Sequence, residues 1–128
     1  MAVDVVTKIE IARPRAEVAA YAANPDNATE WYENIKRAER LSPTRVAFEA
    51  RFLGKSLRYT YEVVADVPGE RYVMRNDSME TTYEWSDTAG GTQMTLRNRG
   101  SAPRLTAPFV RRANRKDLAR LKAILEAG

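Results

Sequence analysis

The chain has 128 residues, 44% hydrophobic and 30% charged, with a formal net charge of +4, which suits one domain over residues 1–128 with a real core. It holds no cysteine and no histidine, so disulfides, thiolate metal sites and every Ser-His or Cys-His relay are excluded. No apolar run approaches the roughly 20 residues needed to span a bilayer, and Asp4, Lys8 and Glu10 rule out a signal peptide over Met1 to Ile11, so a cytoplasmic location is expected.

Val3 to Ile11 alternates, with Val5, Thr7, Ile9 and Ile11 on one face, and predicts a half-buried strand. Pro14 opens a helix that Asn24-Pro25-Asp26 breaks, and Asp26 or Asn27 can cap a second short helix ending at Trp31. Ile35 to Leu41 is a weak strand. Arg45 to Leu53 is a clear one, with Val46, Phe48, Ala50 and Phe52 inward. Leu57 to Val67 sets Tyr59, Tyr61 and Val63 against Arg58, Thr60 and Glu62. Pro68-Gly69 marks a turn. Arg71 to Asn76 is a strand whose inner face is ambiguous. Met79 to Ser86 puts Thr81, Tyr83 and Trp85 on one side, and after a Gly-Gly hairpin Thr92 to Arg99 alternates Met94, Leu96 and Asn98 with Gln93, Thr95 and Arg97.

Thr106 to Ala127 is the long helical pattern of the chain. Thr106 is its expected N-cap and Pro108 suits its first turn. Val110, Ala113, Leu118, Leu121, Ile124 and Leu125 form an apolar stripe, and Asn114 and Asp117 interrupt it. Polar groups on a buried face need partners or a wet cavity. Asp117 is therefore a candidate ligand contact and a candidate general acid or base, or else the buried partner of Arg75 or Arg97. Arg75, if inward, would bind an anionic oxygen. The order of elements predicts an α+β fold. Tight turns make the strands an antiparallel meander, and one long helix must cover their apolar faces.

Taken together, four stretches resemble the START-related, Bet v 1-like superfamily (SRPBCC), which includes polyketide cyclase/dehydrase and lipid-transfer members. They are IEIARPRAEVAAYAANPDNATEW, YEVVADVPGERYVMRN, YEWSDTAGGTQMTL and the closing helix. The resemblance implies a helix-grip fold: a curved antiparallel sheet of about seven strands wrapped around the C-terminal helix, with two short helices after the first strand. It implies a cavity for a small hydrophobic or amphipathic molecule under that helix, and no universal catalytic residue. By strand parity and fold position the expected ligand-binding residues are Trp31, Phe48, Phe52, Tyr59, Tyr61, Arg75, Tyr83, Trp85, Met94, Asn114 and Asp117. No metal site and no cofactor is expected.

Three functions compete on these grounds. The first is binding or transport of such a ligand. The second is a metal-independent cyclase, aromatase or dehydratase acting through Asp117. The third is a protein-interaction module that uses the basic outer face of the last helix. No interleaved exposed aromatics are available to stack on bases, so sequence-specific nucleic-acid binding is not expected. A homodimer stays open.

Overall fold

The computed structural model describes residues 2–52 and 54–128, and of Phe52 the backbone alone. Among these, seven strands form one antiparallel sheet: β1 (Ala2–Ile11), β2 (Ile35–Ser42), β3 (Arg45–Phe52), β4 (Lys55–Val67), β5 (Arg71–Arg75), β6 (Met79–Thr88) and β7 (Gly91–Pro103). Their spatial order is β1-β7-β6-β5-β4-β3-β2. Two short helices, α1 (Arg15–Ala22) and α2 (Ala28–Trp31), follow β1, and α3 (Ala107–Ala127) closes the chain. Successive strands from β2 to β7 are hairpin neighbours, and β1 joins the far side of β7. One apolar face of this sheet packs on α3, which is the helix-grip arrangement.

The alternating strands bury one parity each. Val3, Val5, Thr7 and Ile11 of β1 are buried, and so are Met94 and Leu96 of β7. In β5 the ambiguity resolves. Tyr72 and Met74 enter the core cluster, so Arg71, Val73 and Arg75 point outward. Val73 is also buried, at 2% exposure, which is why the sequence favoured neither face. Ala47, expected outside, is buried as well. Its cross-strand partners Glu39 and Thr60 are longer and cover it.

Turn chemistry fixes the register. At Val67-Pro68-Gly69-Glu70 the Glu70 N–H donates to the Val67 carbonyl at 2.9 Å, and Gly69 has φ of +78°. A type II turn wants Pro then a positive-φ residue. Gly91 after β6 has φ of +151°, and a Cβ there would stand 2.2 Å from the Ile11 carbonyl oxygen, so no other residue fits.

Helix ends differ in detail from the expectation. Thr106 precedes α3 but lies in a 3-10 turn (Arg104–Thr106), and its hydroxyl donates back to the Pro103 carbonyl at 2.6 Å instead of capping. Ahead of α2 it is the Asn24 side chain that accepts, from the Asp26 N–H at 3.0 Å. The other end of α3 is tied to the end of β1. Ala12 N–H donates to Glu126 Oε2, Lys122 Nζ to the Glu10 carbonyl (both 2.8 Å), and Arg13 to the carbonyls of Glu126 and Gly128. Cations at a helix C-terminus also oppose its dipole.

Candidate functional site

Along the inner face of the β6–β7 pair, side chains change from apolar to polar. Trp85 pairs with Met94, Tyr83 with Leu96, and Thr81 with Asn98. The Trp85 end lies under α1, where Ala16, Ala19, Ala20 and the Trp85 indole border a separate surface hollow. The Thr81 end stays open, and a cavity of about 190 Å³ lies there. Phe48, Ile35 and Met74 supply its apolar wall. Tyr59, Tyr61, Tyr83, Tyr32, Thr81, Asn98, Asn34 and Asp117 supply polar atoms. One larger surface hollow is lined mainly by charged side chains such as Arg15, Glu70, Arg71, Glu84 and Asp87, and suits water better than an organic ligand; another, lined largely by the small side chains of α1 and by Trp85, takes no residue from α3.

The helical period places Asn114 and Asp117 together, one turn apart on the buried face of α3, at 7% and 6% exposure. Asn114 Nδ2 donates to Asn98 Oδ1 at 2.6 Å, and Asn98 Nδ2 donates to Thr81 Oγ1 at 3.0 Å. This relay fixes both amides and ties the helix to β7 and β6. Asp117 Oδ1 accepts the Glu33 N–H at 3.1 Å. Among the described residues no cation pairs with Asp117. Arg75, from the outer face of β5, holds Glu80 at 2.6 Å, and Arg97 holds Asp4 at 2.8 Å. The buried ion pair that the sequence allowed is thus absent. Burial pushes the Asp117 carboxyl up to about 6, against the opposing pull of the Glu33 N–H.

The phenols behave as neutral donors. Tyr32 and Tyr83 share a hydroxyl–hydroxyl hydrogen bond. Burial raises both well above the ordinary phenol range, with the Tyr83 hydroxyl a further cause for Tyr32. Burial raises Tyr59 to about 12 and raises Tyr61 as well. Phe48, Tyr59 and Tyr61 form a triad with ring centroids 5.6–5.9 Å apart, tilted or edge-to-face. The site therefore offers an aromatic wall, uncharged O–H and N–H donors, and one carboxyl group that titrates near neutrality.

Of the residues expected here, Phe48, Tyr59, Tyr61, Tyr83 and Asp117 line the cavity, and Asn114 stands one hydrogen bond behind it. The side chain of Phe52 lies outside the described residues. Four others stand elsewhere. Trp31 is fully buried against Tyr32 and Tyr83 and anchors α2. Trp85 and Met94 sit farther along the sheet, at the α1 end, because parity gives a side chain's face but not its depth along the strand. Arg75 is outside. Tyr32 and Asn34 lie in the α2–β2 connection, where no periodicity points to them. Thr81 and Asn98 also line the cavity, and strand parity places both on the inner face. Among the described residues no group of three or more His, Cys, Asp or Glu side chains is placed to hold a metal ion. No helix is long and apolar enough to cross a membrane.

The sequence pattern of the polyketide cyclase / dehydrase and lipid transport family matches residues 2–126, and the chain belongs to that family. No curated protein sequence matches it. Solved structures share its fold at low identity. A protein of unknown function from Staphylococcus aureus superposes with a TM-score of 0.81 at 14% identity, over 99% of this chain and 95% of that one. A START superfamily protein from Mycobacterium smegmatis gives 0.72 at 14% identity, over 97% and 94%. The di-domain ARO/CYC StfQ from the steffimycin biosynthetic pathway gives 0.76 at 15% identity, over 99% of this chain and 52% of that one.

Proposed function

We propose that this protein binds a small amphipathic molecule in the cavity between the sheet and α3. The observation that carries the reading is the cavity itself. It keeps about 190 Å³ beneath the helix, with an apolar wall on one side and tyrosine, asparagine and aspartate groups on the other. Tyr32 and Tyr83 satisfy each other and Asp117 takes the Glu33 N–H, but each of these oxygens keeps further hydrogen-bonding capacity on the cavity wall for a polar ligand group. The volume lies below the roughly 300 Å³ at which drug-sized sites begin, so the ligand is compact. It carries an apolar body for Phe48, Ile35 and Met74 and at least one oxygen or nitrogen for the polar side.

The test is native mass spectrometry of protein purified from its own host, followed by denaturing extraction. A discrete bound molecule is expected, retained by Arg75→Ala and lost or weakened by Tyr61→Ala in a variant that still folds. A clean unliganded mass, together with no uptake of any compact aromatic or aliphatic alcohol, acid or ketone, would overturn the reading.

Asp117 favours a second reading, a metal-independent cyclase or dehydratase. A carboxyl group near pKa 6 can both donate and accept a proton near neutral pH, and neutral phenols can stabilise an oxyanion. Turnover abolished by Asp117→Asn with binding retained would support the enzyme. Binding without turnover in the unaltered protein would leave the carrier.

A further inference from the structure

The start of α3 carries a surface that ligand binding does not use. Leu105 and Phe109 are the most exposed large hydrophobic residues described, at 86% and 74%. They stand one turn apart, Leu105 in the 3-10 turn before the helix and Phe109 in its first turn. Around them the charge has a single sign. From Arg104 to Lys116 there are five cations (Arg104, Arg111, Arg112, Arg115, Lys116) and no acidic residue, whereas Arg97 and Arg99 on β7 are neutralised by Asp4 and Glu80. Arg104, Arg112, Arg115 and Lys116 are exposed. Among the described residues, no carboxylate lies within 4 Å of Arg104, Arg111, Arg112 or Arg115, and Lys116 has only Glu33, at 3.9 Å. Arg112 and Lys116 follow Phe109 at i+3 and i+7, on its own side of the helix.

We propose that this end of α3 docks on an anionic lipid surface, with Leu105 and Phe109 entering the acyl boundary and the arginines meeting the headgroups. Projecting apolar tips inside a ring of cations are what an interfacial segment needs. A second copy of this chain is the poorer occupant, because both faces would bring the same unpaired cations together. Nucleic acid would take the cations but leave Leu105 with nothing to stack on. Phe109 stands eight residues before Asp117, about 12 Å along the axis, so docking would hold the cavity close beneath the headgroups. The proposal needs no particular ligand and survives if the cavity proves empty.

The experiment is sedimentation of the full chain with phosphatidylcholine vesicles, with and without phosphatidylglycerol. Binding is expected only where phosphatidylglycerol is present. Leu105→Asp with Phe109→Asp should cut it by tenfold or more, and Arg112→Ala or Lys116→Ala by about fivefold each. All four positions are exposed or unpaired, so these variants should melt like the parent. The indole of Phe109→Trp should be quenched by brominated acyl chains. Failure to bind phosphatidylglycerol vesicles would overturn the proposal. So would binding insensitive to the double aspartate variant, or a bound but unquenched Phe109→Trp indole. Either of those would mark a purely electrostatic face for nucleic acid or an acidic protein.

Discussion

Asp117 sets a pH dependence that can be measured without knowing any ligand. Its carboxyl group rises from an ordinary value of 3.8 to about 6 in the fold, so between those values the native state binds more protons than the unfolded chain. The Asp117 contribution to stability is therefore highest below pH ~4, falls as pH rises through about 6, and stays at the lower level above it. The full effect is at most about 3 kcal/mol. Asn at this position keeps an acceptor for the Glu33 N–H and carries no charge. Asp117→Asn should be more stable than the parent at pH 7 by about 1–3 kcal/mol, and denaturant melts from pH 4 to 7 should lose most of their slope. Equal slopes in both proteins would show that another group dominates. Asn114 and Asp117 are legible in the sequence as polar residues interrupting an apolar stripe. Which partners they meet is not, because Asn98 and the Glu33 N–H arrive from elements 16 and 84 residues away.

The elements themselves were largely legible where one period ran for many residues. β1, β6, β7 and α3 each repeat a buried position often enough to fix a face. β5 does not: in five residues Tyr72, Val73 and Met74 are all apolar and buried, and only packing on the core reveals that Arg75 points out. The α2–β2 connection has no period at all, which hides Tyr32. Turns were legible for a chemical reason, since Pro68-Gly69 and Gly90-Gly91 carry the conformations that their hairpins require. Gly91 offers the element-scale test. Its positive φ and the 2.2 Å approach to the Ile11 carbonyl oxygen make Gly91→Ala a clash with backbone that cannot rotate away. A loss of more than about 3 kcal/mol is expected in thermal melts, beyond the usual 0.5–3 for single substitutions. Gly54→Ala, where nothing lies within 4 Å but φ is +79°, should cost only the local backbone strain, about 1 kcal/mol.

On the scale of the whole molecule, the first strand of the chain is completed by the last. β1 has one neighbour, β7, and their register runs from Ala2 opposite Pro103 to Ile11 opposite Thr92. Every bond of that ladder closes a loop of some eighty to a hundred residues, whereas β2 to β7 zip by short hairpins. Loops of that length are closed late. The meander can form while the chain is still being made, but Val3, Val5 and Ile11 must wait as an unpaired apolar strand until β7 and then α3 have left the ribosome. Refolding should accordingly show β1 protected last in pulsed hydrogen exchange, after β6 and β7, and a version truncated before α3 should aggregate. Early protection of β1 would refute that order. β1 thus makes synthesis itself a period of risk, and a slow stretch of translation near residue 90 would lengthen it.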